Sequence, residues 1–137
     1  MDEEALKAEH EAGLALFLEP SSRNRFRNAL TSSRARSKFT AKLAHFAHLD
    51  PRFATKVGDK SLVAGRLHEL GAPRVCYVMS EDSEIDRRFI PVEDAIRLTV
   101  EAQAGSLISC LPGLLGSFVG EEPKAAWILR RPPVSGR

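Results

Sequence analysis

Between Ser21 and Asp50 the chain reads SSRNRFRNALTSSRARSKFTAKLAHFAHLD, and no other stretch constrains the fold as much. It holds Arg23, Arg25, Arg27, Arg34, Arg36, Lys38 and Lys42, with no acidic residue before Asp50. Phe26, Leu30, Phe39, Leu43 and Phe46 recur through it at roughly helical spacing. A core-facing stripe and a cationic surface are therefore written into the same residues. One unbroken helix does not satisfy both. At about 100° per residue, Phe26 and Leu30 would point almost opposite to Phe39, Leu43 and Phe46. Thr31-Ser32-Ser33 lies between the two apolar sets and offers a fresh N-cap. The expectation is a helix over about 22–30 and a second over about 34–49, stopped at Asp50-Pro51. On the second, Phe39, Leu43, Phe46 and Ala47 face inward, and Arg34, Lys38, Lys42, His45 and His48 face out.

The flanking segments complete an α+β pattern. Residues 2–18 are mostly good helix formers, with acids in the first turn where the helix dipole favours them, and Pro20 stops that helix. Residues 52–60 read as a turn and loop. A helix over about 61–70 has Leu62, Val63, Leu67 and Leu70 inward and Gly71 as its stop. The β-rich run Val75–Met79 predicts a buried strand, and SEDSEIDRRF after it a polar loop. Pro91 opens a helix with Val92, Ala95, Ile96, Thr99, Val100 and Gln103 on its inner side and Gly105 at its end. SLISCL and LLGSFVG flank the turn pair Pro112-Gly113 and read as a hairpin. A turn at Gly120–Pro123 and a last strand, AAWILRR, follow. The expected fold is α+β: N-terminal helices (about 2–18, 22–30, 34–49 and 61–70), then β-α-β-β-β. Its sheet is mostly antiparallel and four-stranded, with the helices on one face. The Val75 and Leu107 strands, joined through a helix, are candidates for a parallel crossover pair.

At 137 residues the chain suits one domain, expected over 1–131 with a disordered tail at 132–137. No apolar run is long enough to span a bilayer, and the start MDEEALKAEHE lacks the cationic lead of a signal peptide. A cytoplasmic protein without membrane contact is expected. Cys76 and Cys110 lie in strand-like runs and read as buried free thiols rather than a bridge. The net charge of +2 conceals blocks of opposite sign. Residues 1–19 carry six acids against Lys7, residues 20–49 seven Lys/Arg and no acid, and residues 74–104 seven acids against four Arg.

The basic block is the main functional candidate. Clustered Lys and Arg displace the counterions condensed on phosphate backbones, and Arg adds two-pronged contacts. The expected function is a small binding module that contacts nucleic acid or another polyanion through Arg23, Arg25, Arg27, Arg34, Arg36, Lys38, Lys42 and His45. The alternative is a protein-interaction or regulatory domain whose basic face is neutralised by the acidic N-terminal helix, through Glu4, Glu9 and Glu11, or by a partner. His45, His48 and Asp50 form H-x-x-H-x-D, but the surrounding cations oppose a metal there. The spacing of Glu81, Asp82, Glu84 and Asp86 does not fit a calcium loop. No phosphate loop, nucleophile elbow or zinc-ribbon spacing occurs, so no catalytic residue, metal or cofactor is assigned. A third and weaker reading is an enzyme cleft between the acidic loop at 80–88 and the helix end at His45–Arg52.

Overall fold

Odd and even positions along each strand go to different helical layers. In the Val75–Ser80 run, Cys76 and Val78 join one apolar cluster, while Met79 joins another. In the Ser106–Leu111 run, Ile108 and Cys110 go to the first cluster and Leu107 to the second. A sheet with alternate residues buried on both sides requires a helical layer on each face.

The computed structural model describes residues 2–120 and 126–132. Its helices are α1 (Glu3–Leu14), α2 (Pro20–Ala29), α3 (Ser33–Thr40), α4 (Val63–Glu69) and α5 (Val92–Ala102). Its strands are β1 (Ala54–Val57), β2 (Val75–Ser80), β3 (Arg88–Pro91), β4 (Ser106–Leu111), β5 (Leu115–Val119) and β6 (Ala126–Arg130). Short 3-10 turns lie at Ala15–Phe17, Leu43–His45 and Lys60–Leu62. The strands form one antiparallel sheet in the order β1-β6-β5-β4-β2-β3. Leu14, Phe17, Phe26 and Leu43 pack with Met79, Leu107, Phe118 and Leu129 on one face. Val63 and Leu67 of α4 and Val92, Ala95 and Ile96 of α5 pack on the other.

The α+β class stands, with two corrections to the sheet. It has six strands rather than four, and helices cover both faces rather than one. The four strands expected from sequence are the contiguous inner set β2, β4, β5 and β6. The two additions are four-residue edge strands: β1, whose sequence reads as turn and loop, and β3, whose start lies in the polar SEDSEIDRRF stretch. Short, charged or Pro-containing segments are what protects a sheet edge, and they carry little apolar periodicity. The Val75 and Leu107 strands pair antiparallel, contrary to the crossover expectation. β3 reverses the chain after β2, so the strands joined through α5 are β3 and β4, with β2 between them.

The helix boundaries show where long-range pairing overrides local pattern. The break at 31–33 is present, and the Ser32 side chain accepts a hydrogen bond from Ala35 N at 3.1 Å. Pro20 opens α2 at its first position, the preceding helix having already closed at Phe17. α3 ends at Thr40 instead of running to 49. Past the Leu43–His45 turn the backbone pairs with the end of the first helical segment: Glu19 N donates to His48 O at 2.9 Å and Asp50 N to Phe17 O at 2.8 Å. That bridge replaces the i→i+4 bonds a longer helix would make. Gly105 admits the turn, since a Cβ there would lie 2.3 Å from Ala44 N. Leu62 sits in a 3-10 turn and is 60% exposed, so Val63 and Leu67 are the buried residues of α4, with Ala64 and Leu70 partly buried beside them. On α5, Val100 is 40% exposed, and the helix closes on Gln103 in the left-handed region, φ 53°, two residues before the expected Gly105. The Pro112-Gly113 turn joins β4 to β5, with Gly113 at φ 72°. The turn expected at Gly120–Pro123 and the tail at 132–137 fall largely outside the described residues.

Candidate functional site

Ala35, Ala41 and Ala47 are too small to fill the space beside the last turn of α3, and a groove of about 550 Å³ opens there. Arg25 from α2, Lys38 from α3 and Lys42 from the following turn line it, together with His45 and His48. Its apolar floor is Phe39 and Phe46. These rings belong to a column that runs into the core. Phe26 meets Phe39 edge-on at 5.0 Å, Phe39 meets Phe46 at 5.8 Å, and Phe46 rests on Phe118 at 5.9 Å. Edge-to-face contacts fix ring orientation as well as burying area. The His48 ring closes the column edge-on to Phe46 at 5.5 Å.

The basic block divides into three. Arg25, Lys38 and Lys42 are exposed at the groove, and none has an ion pair among the described residues. His45 lines the groove beside them. Arg27 and Arg34 are exposed on the same two helices but outside the groove. Arg23 and Arg36 are committed to the fold. Arg23 Nε donates to the Leu18 carbonyl at 3.2 Å.

Arg36 is 8% exposed and points away from the groove. Its guanidinium donates to Glu11 of α1, including Nε to Oε2 at 3.1 Å, and to both oxygens of Asp86, including Nη2 to Oδ1 at 2.9 Å. The Tyr77 hydroxyl donates to the same Glu11 carboxylate, and Ser80 N donates to Asp86 at 2.9 Å. Burial works against the charge of Arg36, but its hydrogen bonds to Asp86 and Glu11 outweigh that and raise its pKa. Burial first, and then Glu11, push the Tyr77 phenol above its ordinary value. Arg36 is thus the hub of a buried ion cluster joining α1, α3, β2 and the acidic loop.

Of the three acids expected to neutralise the basic face, one lies in this cluster, one pairs elsewhere, and the third, Glu9, is exposed. Glu11 serves Arg36; Glu4 serves Arg87 at 3.0 Å and Lys7 at 3.8 Å. Near the groove, Glu19 lies 3.7 Å from His48 Nδ1.

The H-x-x-H-x-D set does not converge. Asp50 turns to Arg52, accepting from its Nη2 at 2.7 Å and its backbone N at 3.0 Å, and the Arg52 hydrogen bond holds the carboxyl below its usual range. Among the described residues no three His, Cys, Asp or Glu side chains form a metal-sized group. In the acidic loop, Asp86 binds Arg36, Asp82 accepts from Glu84 N at 3.0 Å, and Glu81 accepts from Gly105 N at 3.4 Å. These carboxylates shape the loop. Cys76 and Cys110 are free and buried; contact with Cys110, and then burial, push the Cys76 thiol well above its usual pKa, away from a reactive thiolate.

One cluster has no signature in the sequence. His10 of α1 is buried, with Nδ1 2.7 Å from Ser109 Oγ and its ring stacked 5.7 Å from Tyr77. The two partners are 99 residues apart, and no local pattern signals the pair. It has a nucleophile–base outline, but the Ser109 side chain is fully buried and out of a substrate's reach. Phe39 and Phe46, expected in the core, pack against it only partly buried and also line the groove. Comparison with family models, with curated proteins and with solved structures gives no match for this chain.

Proposed function

We propose that the chain is a small binding module whose groove between α2 and α3 takes the phosphates of nucleic acid or another polyanion. The observation that carries this reading is the convergence of Arg25, Lys38 and Lys42 on one groove, exposed and without a carboxylate partner among the described residues. Cations already paired within a fold gain little from an added phosphate. Unpaired ones release condensed counterions from the ligand when they bind, which is the main source of sequence-independent affinity. Arg27 and Arg34 on the same helices enlarge the positive field that steers a polyanion to the site. Arg36 and Arg23 take no part.

The test is a salt titration of affinity. Binding to DNA or RNA is expected to weaken steeply with salt, and the triple change Arg25→Ala, Lys38→Ala and Lys42→Ala to reduce the log–log slope by up to about 3. No salt-sensitive binding by the parent protein at low ionic strength would remove the reading.

A protein-interaction role has one observation in its favour, on the opposite layer. Leu62 and Val100 are both exposed there, and each lines a groove beside α4 or α5. A pull-down whose captured partners survive nuclease treatment and are lost in Leu62→Ser would favour it.

A further inference from the structure

We infer that the groove is built for a single strand, with an unpaired base laid against the aromatic floor while the cations hold its phosphates; this rests on the polyanion reading above. The observation behind it is chemical mixture. A site that only neutralised phosphates would need charge alone, yet Arg25, Lys38 and Lys42 share the groove with the partly buried Phe39 and Phe46. His48 adds an exposed imidazole held edge-on to Phe46, although Glu19 lies 3.7 Å from it.

A duplex keeps its bases stacked inside and would meet this hollow with phosphates only, leaving the rings unused. An acidic peptide would satisfy the cations, but its carboxylates are disfavoured over the electron-rich face of an aromatic ring. An unpaired base has a free π surface for the floor and a phosphate on either side for the cations, the combination by which single strands are held without sequence preference. Size agrees. At about 550 Å³ the groove has room for a base with its sugar. Lys38 on α3 and Lys42, two residues past its end, both line the groove, and Arg34 stands one turn before Lys38 on the same helix outside it.

Fluorescence anisotropy with a labelled twelve-nucleotide single strand, a hairpin duplex of the same sequence and heparin as competitor tests the inference. The single strand is expected to bind about tenfold more tightly than the duplex at equal salt. Phe46→Leu keeps an apolar side chain against Phe39 and Phe118 but removes the ring. It is expected to lower single-strand affinity by about tenfold while leaving the duplex affinity and the salt slope unchanged. His48→Ala, at an exposed position, is the second variant should Phe46→Leu melt early, and is expected to act in the same direction. Equal affinity for strand and duplex, unaltered by either change, with the triple cation variant still flattening the salt slope, overturns the single-strand inference and leaves polyanion binding standing. Absence of salt-sensitive binding to every ligand overturns both. Stronger competition by polyglutamate than by an unlabelled oligonucleotide overturns the single-strand inference in favour of an acidic protein partner.

Discussion

Arg36 and Lys38 sit two residues apart on α3 with the same charge, and their surroundings share nothing. About 200° of helix rotation separates them, which sends one beneath the helix and the other to the groove. Arg36 is held by two carboxylates from elements 25 and 50 residues away, in a cluster with Tyr77. Lys38 lines an open groove without an ion pair among the described residues. Buried charge of the first kind is tolerated only when each partner is supplied, and losing any one strands the others in a poor solvent. Surface charge of the second kind adds little to stability, which leaves it available for binding. A basic block in a sequence is therefore a mixture of framework and interface, and helix phase sorts it.

The widest gap between the two regions is expected in stability. Arg36→Ala leaves Glu11 and Asp86 buried without their cation and is expected to cost about 3–5 kcal/mol in a denaturant melt. Lys38→Ala is expected to stay within about 0.5 kcal/mol. Similar losses from both would mean that the two side chains share one kind of environment.

Leu43 marks the boundary between the two regions, fully buried directly after Lys42. Leu43→Ala is expected to lose about 2–5 kcal/mol through the cavity left among Phe26, Met79 and Phe118. A loss under about half a kcal/mol would mean that the turn can collapse onto the sheet, and that the groove floor is softer than its ring contacts suggest.

The smallest effect concerns the histidines. Burial holds His10 below its ordinary pKa of 6.5, so the folded state resists its protonation more than the unfolded chain does. Its contribution to stability is therefore present above about pH 6.5, is lost as pH falls through the lower folded value, and levels off once the folded state is itself protonated. His10→Gln is expected to flatten the fall in melting midpoint between about pH 7.5 and 5.5 relative to the parent. The difference between the two profiles isolates His10 from the exposed His48 of the groove. Parallel profiles would show that the His10 environment does not distinguish it from a surface histidine.

What could be read before folding was whatever depends on near neighbours. The break at Thr31–Ser33 follows from capping chemistry within three residues. The strands β2, β4, β5 and β6 follow from apolar runs bounded by turn residues. The cationic stretch that holds Arg25, Lys38 and Lys42 follows from simple counting. The groove floor was half legible: Phe39 and Phe46 were assigned inward, but their partial exposure depends on where α3 stops.

The sequence by itself determined the α+β class, the helix break and the block of positive charge, because caps, periodicity and net charge are set within a few residues of chain. Tertiary structure alone decided that helices cover both faces, that β1 and β3 complete the sheet, that α3 ends at Thr40, and that Arg36 belongs to the interior. Apart from β3, which pairs with its neighbour β2, the strand, helix end and buried cation rest on partners far along the chain: β6 for β1, Leu18 for Leu49, and Glu11 and Asp86 for Arg36. Hydrogen bonds and ion pairs across such separations form only once the chain has closed on itself, and the energy of leaving buried polar groups unpaired then selects which cations turn inward.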